Sequence, residues 1–353
     1  RAITSDLPTS QVNLQAPQRD VDIIYKAGNS AATHTTVRPG LSETAESGPE
    51  LSLGRSLGNL YQNEPGTRVV IIKYAKGGTD LMTQWKAGGT ATTEGDGQSY
   101  VTFQQTVTSG LANLAAAYPS AAIEIESMVW MQGESDAVVG SSGSYGQNLA
   151  AFIADIRATY KPKLPFVLGR LSVKQTALDQ AQFALVRAAQ ESVAAADPYT
   201  ALLNTDSFGI KSDNLHFSGG GQQSLGTGFA EKSMYLIWMT QSFPAGIVDS
   251  GLANPEADND GDGQPNHAEF LAGTDPNSAA SVFQATIRMT APSGVEISYP
   301  TSPARVYRVD RFVEANGSWE IALPAMRGNE ESHARTMDAV QPRGIFRAVS
   351  GLP

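Results

Sequence analysis

The chain has 353 residues, of which 41% are hydrophobic and 17% charged, and its formal net charge at pH 7 is −10. This acidic balance argues against binding nucleic acids or anionic membranes through charge, and it leaves uncharged partners such as sugars open. The absence of cysteine excludes disulfides, thiol nucleophiles, iron–sulfur clusters and zinc–thiolate sites.

Short β-branched runs alternate with longer helical patterns through residues 1–245. The predicted strands are, in chain order, "VDIIYKA", "RVVIIKYA", "IESMVWMQ", "PFVLGRLSV" and "TALLNTDSF". The predicted helices are "SGPELSLGRSLGNL", "SYGQNLAAFIADIRATY", "ALDQAQFALVRAAQESVAAA" and "GGQQSLGTGFAEKSMYLIWMTQSF". Alternation of this kind predicts an α/β domain in which helices cover both faces of a doubly wound parallel sheet.

The composition changes after residue 245. Residues 246–279 are predicted to form a linker that is rich in aspartate and glycine. Residues 280–353 contain short β-type runs separated by turn residues, which predicts a small all-β module. Its Trp319 and Tyr307 could stack on sugar rings, although packing in the module's core is the more common role for such side chains.

The linker contains a twelve-residue pattern that is typical of calcium-binding loops. Acidic residues alternate along its first half, a glycine follows where a sharp turn is needed, and a glutamate closes the loop. The predicted ligands are Asp258, Asp260, Asp262, the carbonyl of Gln264, Asn266 and Glu269. The alternative is a solvated acidic linker, in which such close carboxylates would repel one another. We therefore expect a structural Ca²⁺ here, and no cofactor for catalysis.

Three polar motifs follow predicted strands, where a doubly wound sheet places its ligand site. The paired glycines of "KYAKGGTD" can turn the backbone sharply and present an N–H group. The cluster "QGESD" stands directly after an apolar strand, and "SDNLHF" puts Asp213 three residues before His216. Each motif alone could be turn geometry, a helix cap or a chance surface pair. Their order on one sheet favours a hydrolase site, and we interpret the other histidines, His34, His267 and His333, as structural.

Several of these stretches resemble the SGNH hydrolases, and within them the sialate O-acetylesterase-like branch, carbohydrate esterase family 6. The similar motifs stand in matching order over residues 1–240: "LQAPQRDV", "GPELSLGRSLG", "IIKYAKGGTDL", "WMQGESDA", "FVLGRLS", "VRAAQ" and "DNLHFSGGGQQSLG". The resemblance implies a three-layer α/β sandwich with a five-stranded parallel sheet. The stretch "DNDGDGQPNHAEFLAGTDP" is similar to calcium-binding repeats of the thrombospondin type 3 and dockerin kind.

The same resemblance implies roles for individual residues. His216 would be the general base and Asp213 would orient it, and a neutral histidine suits this task. The backbone N–H of Gly78 and the side chain of Gln132 would stabilise the oxyanion, with Glu134 positioning Gln132. Ser135 stands where many relatives have Ser or Asn.

The nucleophile of the family is a serine in a Gly-Gln-Ser-Asn-Met motif at the end of the first strand. This chain starts with a segment similar to what usually follows that motif, so we expect the first strand and the serine upstream of Arg1. Ser30, in "AGNSA", is the alternative nucleophile, but the neighbouring "LQAPQRDV" makes its strand the second one.

We therefore expect a secreted bacterial serine esterase that removes acetyl groups from O-acetylated sugars through an acyl-enzyme, and we expect Arg1–Pro353 alone to be inactive. The alternative is a catalytically inactive carbohydrate-binding or adhesion protein, in which the upstream serine is replaced. The expected partner is an O-acetylated carbohydrate and not a nucleic acid. No apolar run reaches the roughly 20 residues that a membrane span needs. The calcium loop favours an extracellular location.

Overall fold

The computed structural model describes residues 14–27, 31–42, 46–62, 66–89, 92–290, 294–329, 332–338 and 345–353. The chain divides into two compact units. The first consists of Arg1–Gly58 with Gly66–Ile237, and the second of Asn59–Pro65 with Trp238–Pro353. The division at residues 245 and 279 that the sequence indicates stays a prediction. Within the described ranges, no helix is both long and apolar enough to cross a membrane.

Strands and helices alternate along the part of the chain where the sequence predicts an α/β domain. The strands are β1 Gln18–Ala27, β2 Thr33–Val37, β3 Val69–Ala75, β4 Met128–Met131, β5 Phe166–Gly169 and β6 Thr200–Leu203. The longer helices are α1 Glu50–Tyr61, α2 Gln98–Ala117, α3 Tyr145–Thr159, α4 Gln180–Ala195 and α5 Gly219–Ser242. Two short helices follow, α6 Ala245–Asp249 and α7 Asn266–Ala272.

The strands of the first unit pair into two three-stranded sheets, in the orders β2-β1-β3 and β4-β5-β6. β1 and β3 run parallel, and so do β4, β5 and β6. Among these described strands, β2 is antiparallel to its neighbour β1. The prediction of a mixed α/β fold with parallel strands is therefore confirmed, while the three-layer arrangement stays a prediction.

Burial of the strands follows the number of hydrogen-bonded neighbours that each one has. β5 lies between β4 and β6 and is buried along its whole length. On β1, which also has a neighbour on each side, Val21, Ile23 and Ile24 have no exposed surface. β3 and β4 each lie at the end of a described sheet and remain partly exposed, although their sequences "VVII" and "MVWM" are as apolar as those of the buried strands.

Two elements of the first unit, α2 and β2, were missed by the sequence predictions. α2 presents Tyr100, Phe103, Val107 and Leu114 to the core at helical spacing, and all four side chains are buried. The intervening "QQTVTSG" contains β-branched residues and a glycine, which weaken the helical signal. β2, "THTTV", has a mostly polar sequence that does not form an apolar run.

The second unit is rich in β-strands, and the predicted β-rich C-terminal region is therefore confirmed. The strands are β7 Thr286–Thr290, β8 Gly294–Pro300, β9 Val306–Val313, β10 Ser318–Arg327, β11 Ser332–Asp338 and β12 Phe346–Gly351. They form antiparallel sheets in the orders β11-β8-β7 and β10-β9-β12. Tyr307 is fully buried among Tyr299 and Phe283, while the partly exposed Trp319 has the guanidinium of Arg347 4.3 Å from its ring centroid.

Asp22 on β1 is a buried carboxylate with three side-chain donors. Its oxygens accept hydrogen bonds from Arg68 at 2.5 and 2.8 Å, from the Tyr118 hydroxyl at 2.6 Å and from His34 Nε2 at 3.1 Å. Burial raises the pKa of Asp22, but the hydrogen bonds from Arg68, Tyr118 and His34 together outweigh burial and lower the pKa from 3.8 to about 2. His34 thus has the structural role that the sequence suggested.

We expect Asp22→Asn to lower the free energy of unfolding at neutral pH by about 1–2 kcal/mol. The loss is limited because Arg68 is partly exposed, so that solvent screens part of the attraction between Arg68 and Asp22. Because folding lowers the pKa of this carboxyl, its contribution is present above 3.8 and is lost as the pH falls towards about 2. Urea unfolding at a series of pH values measures this contribution. Asp22→Asn should lose less stability than the wild type across that acidic window, and identical slopes would contradict the interpretation.

Candidate active site

Loops that follow the carboxyl ends of β3, β4 and β6 meet at one cavity of about 830 Å³. Its lining includes Gly78 after β3, Gln132, Glu134 and Ser135 after β4, and His216 in the loop after β6. The loops after the parallel strands β4 and β6 open at the same edge of their sheet, and the loop after β3, in the other sheet, lines the same cavity. The structure thus brings the three sequence motifs together.

Asp213 and His216 form a hydrogen-bonded pair at the cavity. The Asp213 Oδ2 atom lies 2.8 Å from His216 Nδ1, and Oδ1 accepts the backbone N–H groups of Leu215 and His216 at 2.9 Å. The backbone and side-chain hydrogen bonds from His216, followed by that from Leu215, hold the pKa of Asp213 well below its usual range. Asp213 is therefore an ionised acceptor over the whole physiological pH range.

The loop that carries this pair is closed by its own backbone. Lys211 N–H donates to the carbonyl of His216 at 2.7 Å, and Asn214 adopts a left-handed conformation with φ of 55°. Asparagine accepts this conformation more readily than most residues, which explains its place between the acid and the base. The Gln175 side chain also donates to the Leu215 carbonyl at 3.0 Å. Local turn chemistry therefore sets the Asp–His geometry.

Gly78 lies in the turn after β3 and has a positive φ of 68°, so a side chain here would strain the backbone. The neighbouring Gln132 is buried, and its amide Nε2 donates to Asp136 Oδ2 at 2.5 Å and to the Thr79 carbonyl at 3.2 Å. The Tyr145 hydroxyl donates to Gln132 Oε1 at 3.3 Å. Both amide hydrogens are therefore engaged, so Gln132 must exchange one bond before it can donate to an oxyanion.

The carboxylate that accepts a hydrogen bond from Gln132 is Asp136, and the positioning role expected for Glu134 stays a prediction. Asp136 is fully buried and also accepts the backbone N–H groups of Leu81 at 2.8 Å and Met82 at 3.3 Å. Burial is the main reason why the pKa of Asp136 is raised. Glu134 Oε1 accepts instead from Gln175 Nε2 at 3.1 Å. The sequence signal for Asp136 is an acid four residues after Gln132 in "QGESDA", where the sequence alone shows only a polar cluster.

No serine oxygen hydrogen-bonds to His216 within the described part of the chain. Ser135 lines the cavity, but the ring nitrogen bond of His216 is to Asp213. Ser30, the alternative nucleophile, lies outside the described residues. The tripeptide Gly97-Gln98-Ser99 shares three residues with the family's nucleophile motif, but it begins α2 rather than ending a strand, and Ser99 does not line the cavity.

The predicted calcium loop lies in the second unit, and its acidic side chains converge. One carboxylate oxygen from each of Asp258, Asp260 and Asp262 lies within 4.8 Å of the others. Asp258 accepts the N–H groups of Gly261 and Gly263, which close the turn. Gly263 has a φ of 94°, the sharp turn that the sequence pattern requires.

Four oxygens of this loop are buried and have no hydrogen-bond partner among the described residues. They are Asp260 Oδ2, Asp262 Oδ2, Asn266 Oδ1 and Glu269 Oε2. Buried polar atoms are normally satisfied, so a set of unsatisfied oxygens from predicted ligands fits a hard cation. Burial, followed by the charges of Asp260 and Asp262, raises the pKa of Glu269 to about 7. The Gln264 side chain instead accepts the N–H of Phe283 at 3.3 Å, which leaves its backbone carbonyl as the predicted ligand.

Comparison with known proteins identifies a family over most of the first unit. The family profile described as carbohydrate esterase, sialic acid-specific acetylesterase, matches residues 15–235, and this range contains the three motifs of the cavity. A search of curated protein sequences finds no significant match.

Several solved structures are distantly similar, and three of them are as follows. A protein from Arabidopsis thaliana is 20% identical with a TM-score of 0.49, over 65% of this chain and 84% of that one. A carbohydrate acetylesterase from Xanthomonas citri is 14% identical with a TM-score of 0.47, over 94% and 69% of the two chains. A protein named NanS is 12% identical with a TM-score of 0.44, over 64% and 90%.

With Asp213 accepting from Nδ1, we expect neutral His216 to carry its proton on Nδ1 and to leave Nε2 free as a proton acceptor. In Asp213→Ala this partner is lost, so the share of the Nε2–H tautomer should increase. Nitrogen-15 NMR of the imidazole ring measures the two tautomers, with His216→Gln identifying the resonance and Asp179→Ala as the control. An unchanged tautomer ratio in Asp213→Ala would show that the carboxylate does not orient the ring.

Proposed function

This chain belongs to the carbohydrate esterase family of sialic acid-specific acetylesterases, and we propose that it forms most of a serine esterase that removes acetyl groups from O-acetylated carbohydrates. The observation that supports this activity is the cavity at which Gly78, Gln132 and the Asp213–His216 pair meet. An acid–base pair beside a glycine turn is the arrangement that acyl transfer needs.

In the proposed reaction, a serine hydroxyl attacks the acetyl carbonyl while His216 Nε2 accepts the hydroxyl proton. The bond between the carbonyl carbon and the sugar oxygen then breaks, and His216 returns the proton to that oxygen. A water molecule repeats the sequence on the acyl-enzyme and releases acetate. Throughout, the ionised Asp213 holds the ring and stabilises the imidazolium that forms.

The oxyanion is proposed to accept the backbone N–H of Gly78. Gln132 is the second proposed donor, and it would exchange its longer hydrogen bond, to the Thr79 carbonyl at 3.2 Å, for one to the oxyanion. The bond from Gln132 to Asp136 at 2.5 Å would persist and keep the amide in place. Glu134 would act indirectly. Its donor Gln175 also donates to the Leu215 carbonyl and so holds the loop that carries His216.

The nucleophilic serine is proposed to come from a segment upstream of Arg1. The support is that, in the described residues, His216 has an acid partner but no hydroxyl partner. The competing function, an inactive carbohydrate-binding protein, would keep the same cavity without a serine. Secretion to the cell exterior is proposed from the substrate class and from the calcium loop.

A structural Ca²⁺ is proposed for the loop from Asp258 to Glu269. The support is the convergence of three carboxylates together with the unsatisfied oxygens of Asn266 and Glu269. Asn266 starts α7, and its Nδ2 donates to the carbonyls of Leu252 and Asn254. Asn266 would therefore bind the ion through Oδ1 while its Nδ2 holds the segment before the loop, so that the ion would tie the loop to the start of α7.

We expect the protein that includes the residues upstream of Arg1 to hydrolyse p-nitrophenyl acetate, and Arg1–Pro353 alone to be inactive. His216→Ala in the longer form should lower kcat by about 10²–10⁴, because the attacking hydroxyl loses its base. The matched control is His333→Ala, whose histidine lies outside the cavity lining and should leave kcat unchanged.

Serine-dependent hydrolysis by the shorter form, abolished by Ser30→Ala, would overturn the upstream nucleophile. A longer form that has no serine in its first strand and no activity, but that binds O-acetylated sugars, would instead favour the inactive binding protein.

We expect Ca²⁺ to bind the protein with one ion per chain and to raise the Tm of the second unit by about 5 °C or more. Titration calorimetry measures the affinity, which Asp262→Asn combined with Glu269→Gln should lower at least about tenfold. Asp275→Asn, a change outside the predicted ligand set, is the control. Equal affinity in the double variant and the control would place the ion elsewhere.

A further inference from the structure

Two buried glutamines join the loop after β5 to the loops that carry the candidate site. Gln175 lies in the loop after β5 and Gln190 lies in α4, and their exposed surface is 0% and 1%. Neither is among the residues that line the cavity. β5 is the middle strand of its sheet, so the loop after it lies between the loops after β4 and β6. From this position the glutamines can act on both sides of the site without touching a ligand in the cavity.

Gln175 connects the loop after β5 to the loop that carries the base. Its Oε1 accepts the backbone N–H of Ser172 at 2.8 Å. Its Nε2 donates to the Leu215 carbonyl at 3.0 Å and to Glu134 Oε1 at 3.1 Å. Because Leu215 directly precedes His216, the bond to its carbonyl holds the backbone that carries the imidazole.

Gln190 makes the corresponding connection on the oxyanion side. Its Oε1 accepts the backbone N–H of Leu171 at 3.0 Å, and its Nε2 donates to the main-chain carbonyl of Gln132 at 3.0 Å. The residue after Gln132 is Gly133, with a φ of 137°, and a Cβ there would lie 3.2 Å from Gln190 Nε2. The glycine therefore allows the close approach of Gln190, which holds the backbone of Gln132 and not its side chain.

The two connections start from adjacent residues of one loop. Leu171 and Ser172 follow each other in the chain, and neither has any exposed surface. Each glutamine has a backbone N–H at its oxygen and a carbonyl at its nitrogen, so the partners determine the orientation of both amides. Moving such a buried amide leaves polar groups unpaired, which is costly. Leu215 and Gln132 are thus held from one short stretch of backbone.

We propose that Gln175 and Gln190 are positioning residues of the esterase reaction, so that Gln175 places the base and Gln190 places the oxyanion donor. The inference rests on the proposed function for the reaction that the two residues serve. The bond between Asp213 and His216 is made within one loop, so loss of Gln175 moves this pair as a unit and leaves the bond intact. A displacement of about 1 Å can lower the rate of a catalysed step by about 10²-fold.

Hydrolysis of p-nitrophenyl acetate by the longer form measures the kinetic effect. Gln175→Met and Gln190→Met nearly keep the volume of the side chain and remove its hydrogen bonds. Each should lower kcat by about 10–10²-fold and change KM by less than about twofold, because neither residue touches the substrate. Gln175→Glu keeps the acceptor for Ser172 but has no amide donor, so it should be no more active than Gln175→Met.

Gln104→Met is the matched control. Gln104 is a buried glutamine of α2 whose Nε2 donates to Asp96, and it does not line the cavity. The variant should lose stability in urea unfolding, as the other two do, and keep the kcat of the wild type. An equal loss of kcat in all three variants would overturn the positioning role, since stability would then explain it. Unchanged kcat in Gln175→Met or in Gln190→Met would overturn the role of that glutamine.

NMR of the amide groups in the longer form tests the positions without any need for activity. Gln175→Met should shift the backbone amide signals of Leu215 and His216 and leave the side-chain amide signal of Gln132 in place. Gln190→Met should do the reverse. The imidazole should keep its proton on Nδ1 in both variants, because its bond to the carboxylate is local. If a methionine variant does not fold, Gln175→Glu and Gln190→Glu, which keep the bond to the loop after β5, replace it in the comparison.

The outcomes separate this inference from the esterase proposal. An inactive longer form in which each variant shifts only the signals of its own side would retain the placement of the two loops and overturn the proposed reaction. An active longer form in which both variants keep the kcat of the wild type would retain the reaction and overturn the inference. Signals that shift on both sides in each variant, or on neither side, would also overturn it.

Discussion

Parallel hydrogen bonding between strands is the constraint on which the candidate site depends. β4, β5 and β6 run in one direction, so the polar loops after them must open at one edge of their sheet. β3, in the other sheet, ends at the same cavity. Residues that are more than a hundred positions apart in the sequence, such as Gly78 and His216, therefore line the same cavity.

Much of this arrangement could be predicted from the sequence, because apolar runs and polar loops are visible there. The strands β1, β3, β4, β5 and β6 fall where the sequence predicts them. The Asp213–His216 pair is visible in the sequence because the two residues stand three positions apart in one loop. Predictions fail where a long-range contact decides the structure: α2 is a helix because Tyr100 and Phe103 pack into the core in spite of a weak local pattern.

Partner choice among neighbouring polar residues is a second limit of sequence interpretation. From the sequence alone, Glu134 and Asp136 are equally plausible partners of Gln132, since both are acids within four residues of it. A short helical turn over Glu134–Asp136 sends the two carboxylates in different directions, one towards Gln175 and the other towards Gln132. The spacing of the residues in the sequence does not show in which direction each side chain points. The same applies to Asn266. Its Nδ2 donates to the carbonyls of Leu252 and Asn254, which lie outside the twelve-residue calcium pattern.

The buried carboxylate of Asp136 joins two loops that come from different sheets of the first unit. It accepts backbone N–H groups of Leu81 and Met82, a few residues after Gly78, and the amide of Gln132. The glycine turn and the glutamine are thus fixed to each other without any help from Asp213 or His216. The half of the site that would receive negative charge is consequently held together by hydrogen bonds that do not involve the half that would attack.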